Sequence, residues 1–375
     1  MRQLELRTIH SLRNLLVGAG LALTLGCGGP AEDPLGPGAP SSSQRCLRLR
    51  PQGDTAVSLP ARISVLFTVD TCAGEPVPGL TVADFTLSEN GSPISPWESR
   101  MTLQPRAQQH RMHTALLLDM SGSILQSGAW PELRAAVERF VGEVLADPQS
   151  GHQLALLTFD GRAQPTERVA YTSDRLKLLA ALDALEVREC TTNAQCSAFP
   201  DRASCAAWRC VDDSTNLFGA VVAGTQHVAQ SLSAEGPTYR QAALVVFTDG
   251  TDQAARATRR EAEEAIAASG VHAFTVGLGG EVDASALQAL GPAGHFSATR
   301  PEELGAAFGG VASRLTALAG RFYALDYCSP KRRGRHSLEL RAKWTAPDGV
   351  VLTGLLESKF DAEGFGPGCD VGAVP

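Results

Sequence analysis

A mostly parallel, doubly wound α/β sheet is the fold class that this sequence predicts, on three observations. Residues 115–118 form an apolar run that stops at Asp119. Residues 244–247 do the same just before Thr248 and Asp249. Around these two runs, strand-like stretches alternate with segments whose apolar residues recur at helical spacing. Strands buried on both faces read as continuous apolar runs, and their alternation with helices implies parallel pairing.

The elements follow in order. Residues 129–145 place Leu133, Val137, Phe140, Val141 and Val144 on one helical face. Residues 153–159 form a strand, and 174–185 a helix with Asp174 as an early acidic residue. Residues 217–232 are helical and lead to the Leu244 strand. A helix at 258–268 stops at Gly270, a residue suited to the left-handed end of a helix. Residues 271–276 form a strand, and 284–290 and 301–318 are helical. The α/β region is expected over 107–319.

The flanks read as β-structure. Residues 63–69 are strand-like, and 72–91 (CAGEPVPGLTVADFTLSENG) are strands broken by Gly, Pro and Asn turns. Beyond the α/β region, 322–327, 336–344 and 350–359 are strand-like again. Neither flank has enough strands for a sandwich of its own. The expectation is that 46–106 and 320–370 pair into one β-sandwich with the α/β domain inserted into it. Independent flanking modules are the alternative.

The loop after the first apolar run carries Asp119, Ser121 and Ser123 at alternate positions, at the sheet edge where α/β proteins keep their sites. One carboxylate and two hydroxyls are hard oxygen donors of the kind Mg²⁺ prefers. Thr215 stands near the start of the 217–232 helix, and Asp249 ends the second run. Each piece alone reads as a turn or a helix cap. Together, in this order, they resemble the metal-ion-dependent adhesion site of the von Willebrand factor type A domain. That resemblance implies Ser121, Ser123 and Thr215 as hydroxyl ligands of Mg²⁺, Mn²⁺ or Ca²⁺. Asp119 and Asp249 act directly or through water, and a partner protein's carboxylate takes the sixth position. The 72–91 stretch is similar to the β-sandwich that precedes such domains in many bacterial secreted proteins.

The chain begins with Arg2, Arg7 and Arg13 ahead of an apolar stretch, 15–25, too short to span a bilayer. Gly26-Cys27 then resembles the lipobox of bacterial lipoproteins, with Thr24 where Leu is usual. Residues 1–26 are expected as a lipoprotein signal peptide, Cys27 as the lipidated residue and 27–45 as a flexible tether rich in Gly, Pro, Ala and Ser. Ordinary signal cleavage is the alternative. The expected location is the bacterial cell envelope, at the outer membrane or cell surface, with the lipid as the only membrane contact.

Of nine cysteines, Cys27 aside, eight remain: Cys46, Cys72, Cys190, Cys196, Cys205, Cys210, Cys328 and Cys369. An even number in an exported chain reads as disulfides. A zinc site at Cys190, Cys196, Cys205 and Cys210 is the weaker alternative, since no C-x-x-C pair is present. Those four lie in an insert, 188–213, expected to be stapled to itself on the metal face. Phe199 and Trp208 are its candidate anchors for a partner; the bland alternative tucks both over the loop.

The net charge is −7, and without residues 1–26 the chain has 30 basic and 39 acidic residues. That balance gives no reason to seek nucleic acid or anionic lipid. The local run Lys331-Arg332-Arg333 with Arg335 reads as a solvated turn. An enzyme is not expected. An aspartyl phosphatase would carry a second Asp where Ser121 stands, leaving no carboxyl to protonate a leaving group. His113, His227, His272 and His295 are scattered, and Asp252 and Asp283 read as cap or loop residues. A metal-dependent hydrolase of that kind, or a secreted protein with a purely structural metal, remains the alternative function.

Overall fold

The computed structural model describes residues 45–104, 110–199, 201–202, 204–232, 239–369 and 371. The signal peptide, Cys27 and all of the tether but its last residue lie outside the described residues.

The chain first lays down short strands: β1 (Leu47–Pro51), β2 (Ala56–Ser58), β3 (Arg62–Thr71), β4 (Phe85–Glu89), β5 (Ser92–Ile94) and β6 (Thr102–Leu103). The α/β body follows. Strand β7 (His110–Asp119) leads through α1 (Gly122–Ser127) and α2 (Trp130–Val144) to β8 (His152–Phe159) and β9 (Thr166–Thr172). Helix α3 (Arg175–Ala184) precedes an insert with the hairpin β10 (Ser204–Ala206) and β11 (Arg209–Val211). Then come α4 (Leu217–Leu232), β12 (Tyr239–Thr248), α5 (Arg259–Ser269), β13 (His272–Leu278), α6 (Ala284–Leu290), β14 (Gly294–Ala298) and α7 (Leu304–Gly320). The chain closes with β15 (Phe322–Cys328), β16 (Arg335–Thr345) and β17 (Val351–Asp361).

The central sheet has the order β14-β13-β12-β7-β8-β9. Only β9 is antiparallel, at one edge. Alternation along β7 feeds two cores. Met112, Leu116 and Leu118 face α2 and α7, while Ala115 and Leu117 face α4. A strand apolar on both faces is the signature of helices packed on both sides. Local chemistry sets the helix ends. Asp174 accepts from the amides of Leu176 and Lys177, Thr258 and Glu261 form a reciprocal cap, and Gly270 closes α5 at φ 69°.

Two strands of the central sheet went unread in the sequence, β9 and β14. Strand β9 is a half-exposed edge whose polar residues mask the alternation, and β14 is the short stretch GHFSA. Edge strands carry the weakest pattern because one face and one rim meet water.

Both flanks build both sheets of the β-sandwich. Strand β15 lies between β3 and β6, and β16 lies between β17 and β4. One core joins them, with Phe67 and Phe85 edge to face at 5.5 Å and Phe85 against Tyr323 at 5.6 Å. The α/β body leaves this sandwich after β6 and rejoins it at β15. At the junction Phe322 stacks on His110 (4.6 Å) and Tyr239 (5.2 Å). Arg321 donates to Asp70 at 2.8 Å, in a pair that is nearly sealed from water.

All eight remaining cysteines are paired: Cys46–Cys72, Cys190–Cys205, Cys196–Cys210 and Cys328–Cys369. The zinc alternative fails here. The sulfurs of Cys190, Cys196 and Cys210 do cluster within 4.8 Å, but each is already bonded to another sulfur. No helix among the described residues is long and apolar enough to cross a membrane.

Arg321→Ala strands Asp70 as a buried unpaired charge and should cost about 3 kcal/mol in urea unfolding. The Asp70→Asn, Arg321→Met pair should recover much of that loss; an additive loss in the double variant would show that the ion pair is not what holds this junction.

Candidate metal centre

The end of β7 and the end of β12 meet because of their register. Phe247 pairs with Leu118, so Thr248 stands beside Asp119. The Thr248 hydroxyl donates to Asp119 Oδ2 at 2.6 Å, and the Ser121 amide donates to Asp119 Oδ1 at 2.9 Å. The chain then turns into α1. Ser123 Oγ lies 3.2 Å from Ser121 Oγ and donates to Asp249 Oδ1 at 2.8 Å. Asp119, Ser121, Ser123 and Asp249 thus form one hydrogen-bonded chain at the carboxyl edge of the sheet.

Thr215 approaches from the third loop. It is buried, and its carbonyl accepts from the amides of Gln253 (2.8 Å) and Ala254 (3.0 Å). Its hydroxyl comes within 3.8 Å of where a side chain on Gly250 would begin. Gly161 is what lets this loop lie so low. A Cβ there would sit 2.3 Å from Asp212 Oδ1, and closer still to Ser214 Oγ. All five sequence-predicted ligand residues are therefore at this edge, four linked directly and Thr215 against the Asp249–Gly250 turn.

Electrostatics give the site its character. Burial pushes the Asp119 carboxyl from its ordinary 3.8 up to about 7, and the Asp249 carboxylate adds to the push. Hydrogen bonds from Thr248 and Ser121 oppose it. Asp249 is also raised, chiefly by burial, with its bond from Ser123 opposing. Two carboxylates and three hydroxyls form a hard, all-oxygen donor set around an uncompensated negative charge. Such a set fits Mg²⁺, Mn²⁺ or Ca²⁺. A cation there would supply the missing positive charge and an open position for a further oxygen.

Sequence reasoning missed Thr248 and Asp160. Thr248 had a signal, its place directly before Asp249. Asp160 is buried at the end of β8, paired with Arg162 (2.8 Å), and its carbonyl accepts from the Asn216 amide next to Thr215. Asp252 caps α4 through the Phe218 amide (3.0 Å), and Asp283 caps α6. The histidines stand elsewhere. His113 stacks on Tyr171, which stacks on His227, and His295 bonds Thr275.

The stapled insert borders the same edge. Asp213 Oδ1 lies 3.2 Å from the Cβ position of Gly122, inside the Asp119 loop. A cleft of about 900 Å³ separates the insert from the β8–β9 turn, with Arg162, Asp201 and Arg256 on its walls. Phe199 is 37% exposed, with the Arg202 guanidinium 4.1 Å above its ring. Trp208 must be corrected: it is no exposed anchor. Its indole N–H donates to the Leu185 carbonyl (2.9 Å), and its ring packs beside Trp130 on the main core. A large ring with one polar atom is best placed where a carbonyl at the end of α3 satisfies that atom.

No protein-family model matches the chain, and no curated protein matches it in sequence. Solved structures of von Willebrand factor type A domains do match. The one from Catenulispora acidiphila is 12% identical, with 86% of this chain and 75% of that chain covered at a TM-score of 0.42. The von Willebrand factor domain of the pili tip protein Mfa5 from Porphyromonas gingivalis is 13% identical, with 56% and 97% covered at 0.40. Proximal thread matrix protein 1 from the mussel byssus, with a zinc-occupied MIDAS motif, is 17% identical, with 61% and 49% covered at 0.38. The chain thus spans about half the length of that mussel protein. At such identities and scores, the metal centre stands on its own residues and distances.

The raised Asp119 carboxyl has a signed consequence. The folded chain holds this proton more tightly than the unfolded one, so metal-free stability should fall as pH rises from about 4 to about 7. Asp119→Asn should flatten that slope in thermal melts with chelator, and Mg²⁺ should bind the wild type more tightly as pH rises past 7. Equal Mg²⁺ affinity for wild type and Asp119→Ala in calorimetry would remove the metal centre.

Proposed function

We propose that this is an exported, lipid-anchored protein of the cell envelope that binds a partner protein through a divalent metal held at the Asp119 edge. The observation that carries the reading is the hydrogen-bonded chain of Asp119, Ser121, Ser123 and Asp249, closed by Thr248. Neutral hydroxyls in that set leave a bound cation with residual positive charge. A partner Asp or Glu would then gain both charge attraction and a ligand position. The exposed face of the insert, with Phe199 and Arg202, is the rim that would select among partners. The reading is of adhesion or envelope assembly rather than catalysis: Ser121 stands where a general acid would be needed, and its amide is committed to Asp119.

Export rests on the leader and on four disulfides, which persist in oxidising compartments. Lipidation at Cys27 rests on the sequence around it.

Capture from an envelope extract should be abolished by chelator, restored by Mg²⁺ or Mn²⁺, and absent with Asp119→Ala. Phe199→Ala with Arg202→Ala should weaken capture about tenfold or more while metal affinity stays unchanged, since neither supplies a ligand. Capture that survives chelation would place the binding surface elsewhere. Separately, Cys27→Ser should move the protein out of the membrane fraction, and the wild type should incorporate labelled fatty acid.

A further inference from the structure

Trp97 is 92% exposed, more than any other large apolar side chain among the described residues, and Leu59 is 69% exposed. Neither is loosely held. The Trp97 turn is fixed by Ser99 N to Ser95 O (3.0 Å), Arg100 N to Trp97 O (3.2 Å) and Cys328 N to Ser99 O (2.7 Å). The Leu59 turn is fixed through Gly366 N to Pro60 O (2.9 Å) and Ser329 N to Ala61 O (3.0 Å). Both turns therefore meet at Cys328–Ser329, the far end of β15.

Cations stand at the same end. Arg100 Nη1 donates to the Cys369 carbonyl (3.2 Å), and Arg332 Nη1 donates to those of Ser329 and Lys331 (both 2.8 Å). Arg100 and Arg332 line one cleft beside the Trp97 turn. Arg333 is exposed next to them, and Arg335 faces Asp361 only at 3.8 Å. Of the described carboxylates here, Glu98, Asp361 and Glu363 are exposed, while Glu89 is buried against the Tyr327 hydroxyl (2.9 Å) and Asp326 is buried near Arg62. Exposed Arg100, Arg332, Arg333 and Arg335 outnumber the exposed carboxylates. At physiological ionic strength, screening over about 8 Å makes that local patch matter more than distant carboxylates.

We propose that this end of the β-sandwich docks on an anionic lipid surface. The two apolar tips stand on separate turns, with Leu59 beside Gly364. A protein interface needs a contiguous packed centre. A headgroup layer accepts isolated indole and leucine tips with long basic side chains among its phosphates. The α/β body joins the sandwich at Phe322, the opposite end of β15, and β7 runs on from there to Asp119. Docking would thus turn the metal edge away from the lipid. This contact is independent of the Cys27 anchor and of the metal-bridge reading.

The test uses residues Ser41–Pro375, one compact unit that excludes the apolar leader. Co-sedimentation with vesicles of phosphatidylglycerol and phosphatidylcholine should show binding that vesicles of phosphatidylcholine alone do not. The bound protein should show blue-shifted tryptophan emission that Trp97→Ala abolishes. Trp97→Ala should weaken binding about tenfold, and Arg332→Gln with Arg333→Gln about fivefold per charge. Unchanged melting temperatures would confirm that these exposed substitutions leave the fold intact. Chelator and Asp119→Ala should have no effect. Equal binding to both vesicle types, indifference to Trp97→Ala, loss on chelation, or no binding at all would each overturn the proposal.

Discussion

A carboxylate buried at the tip of a central strand is the constraint around which this protein is arranged. Asp119 has no exposed surface, and the groups that bear on its charge are hydroxyls, an amide and a second carboxylate. Removing a charge from water is costly unless other groups replace the lost solvation. Here the replacement comes from the neighbouring strand and the following loop. The pairing of Phe247 with Leu118 sets it. A slip of one residue would carry Thr248 away from Asp119 and turn Leu116 and Leu118 into the wrong core. The apolar packing that selects the register therefore also assembles the site.

The sandwich matters to that arrangement because it fixes where the α/β body begins and ends. The two connections emerge side by side, one from β6 at the edge of its sheet and one into its neighbour β15. The Cys46–Cys72 and Cys328–Cys369 bridges fasten the sandwich segments at opposite ends of β3 and β15. The insert's two bridges are wholly local. These two staples close a segment with few buried apolar residues of its own, which is where a crosslink adds most.

Much of this was legible in the sequence for identifiable reasons. The runs before Asp119 and Asp249 are apolar because both faces of the sheet are covered, and that leaves an unambiguous signature. The loop ligands were readable because Asp119, Ser121 and Ser123 recur within one turn. Strand β9 was not readable, because Thr166, Glu167 and Arg168 at an exposed edge look like loop. Trp208 was misread because an aromatic in a Cys-rich loop carries no mark of whether it faces water. Only the Leu185 carbonyl, distant in sequence, decides that. Trp97 drew no notice for the same reason: exposure is a tertiary property.

The position of β7 has a mechanical meaning. It begins against the sandwich at His110 and ends at Asp119, and it is laddered to β8 on one side and β12 on the other along nearly its whole length. A partner pulling on the metal edge, against a sandwich held in place, would load β7 along its own axis. The ladders on both sides would resist in shear, many hydrogen bonds at once, and would not unzip one by one. Among the strands of this sheet, the one that carries Asp119 is thus well placed to bear tension.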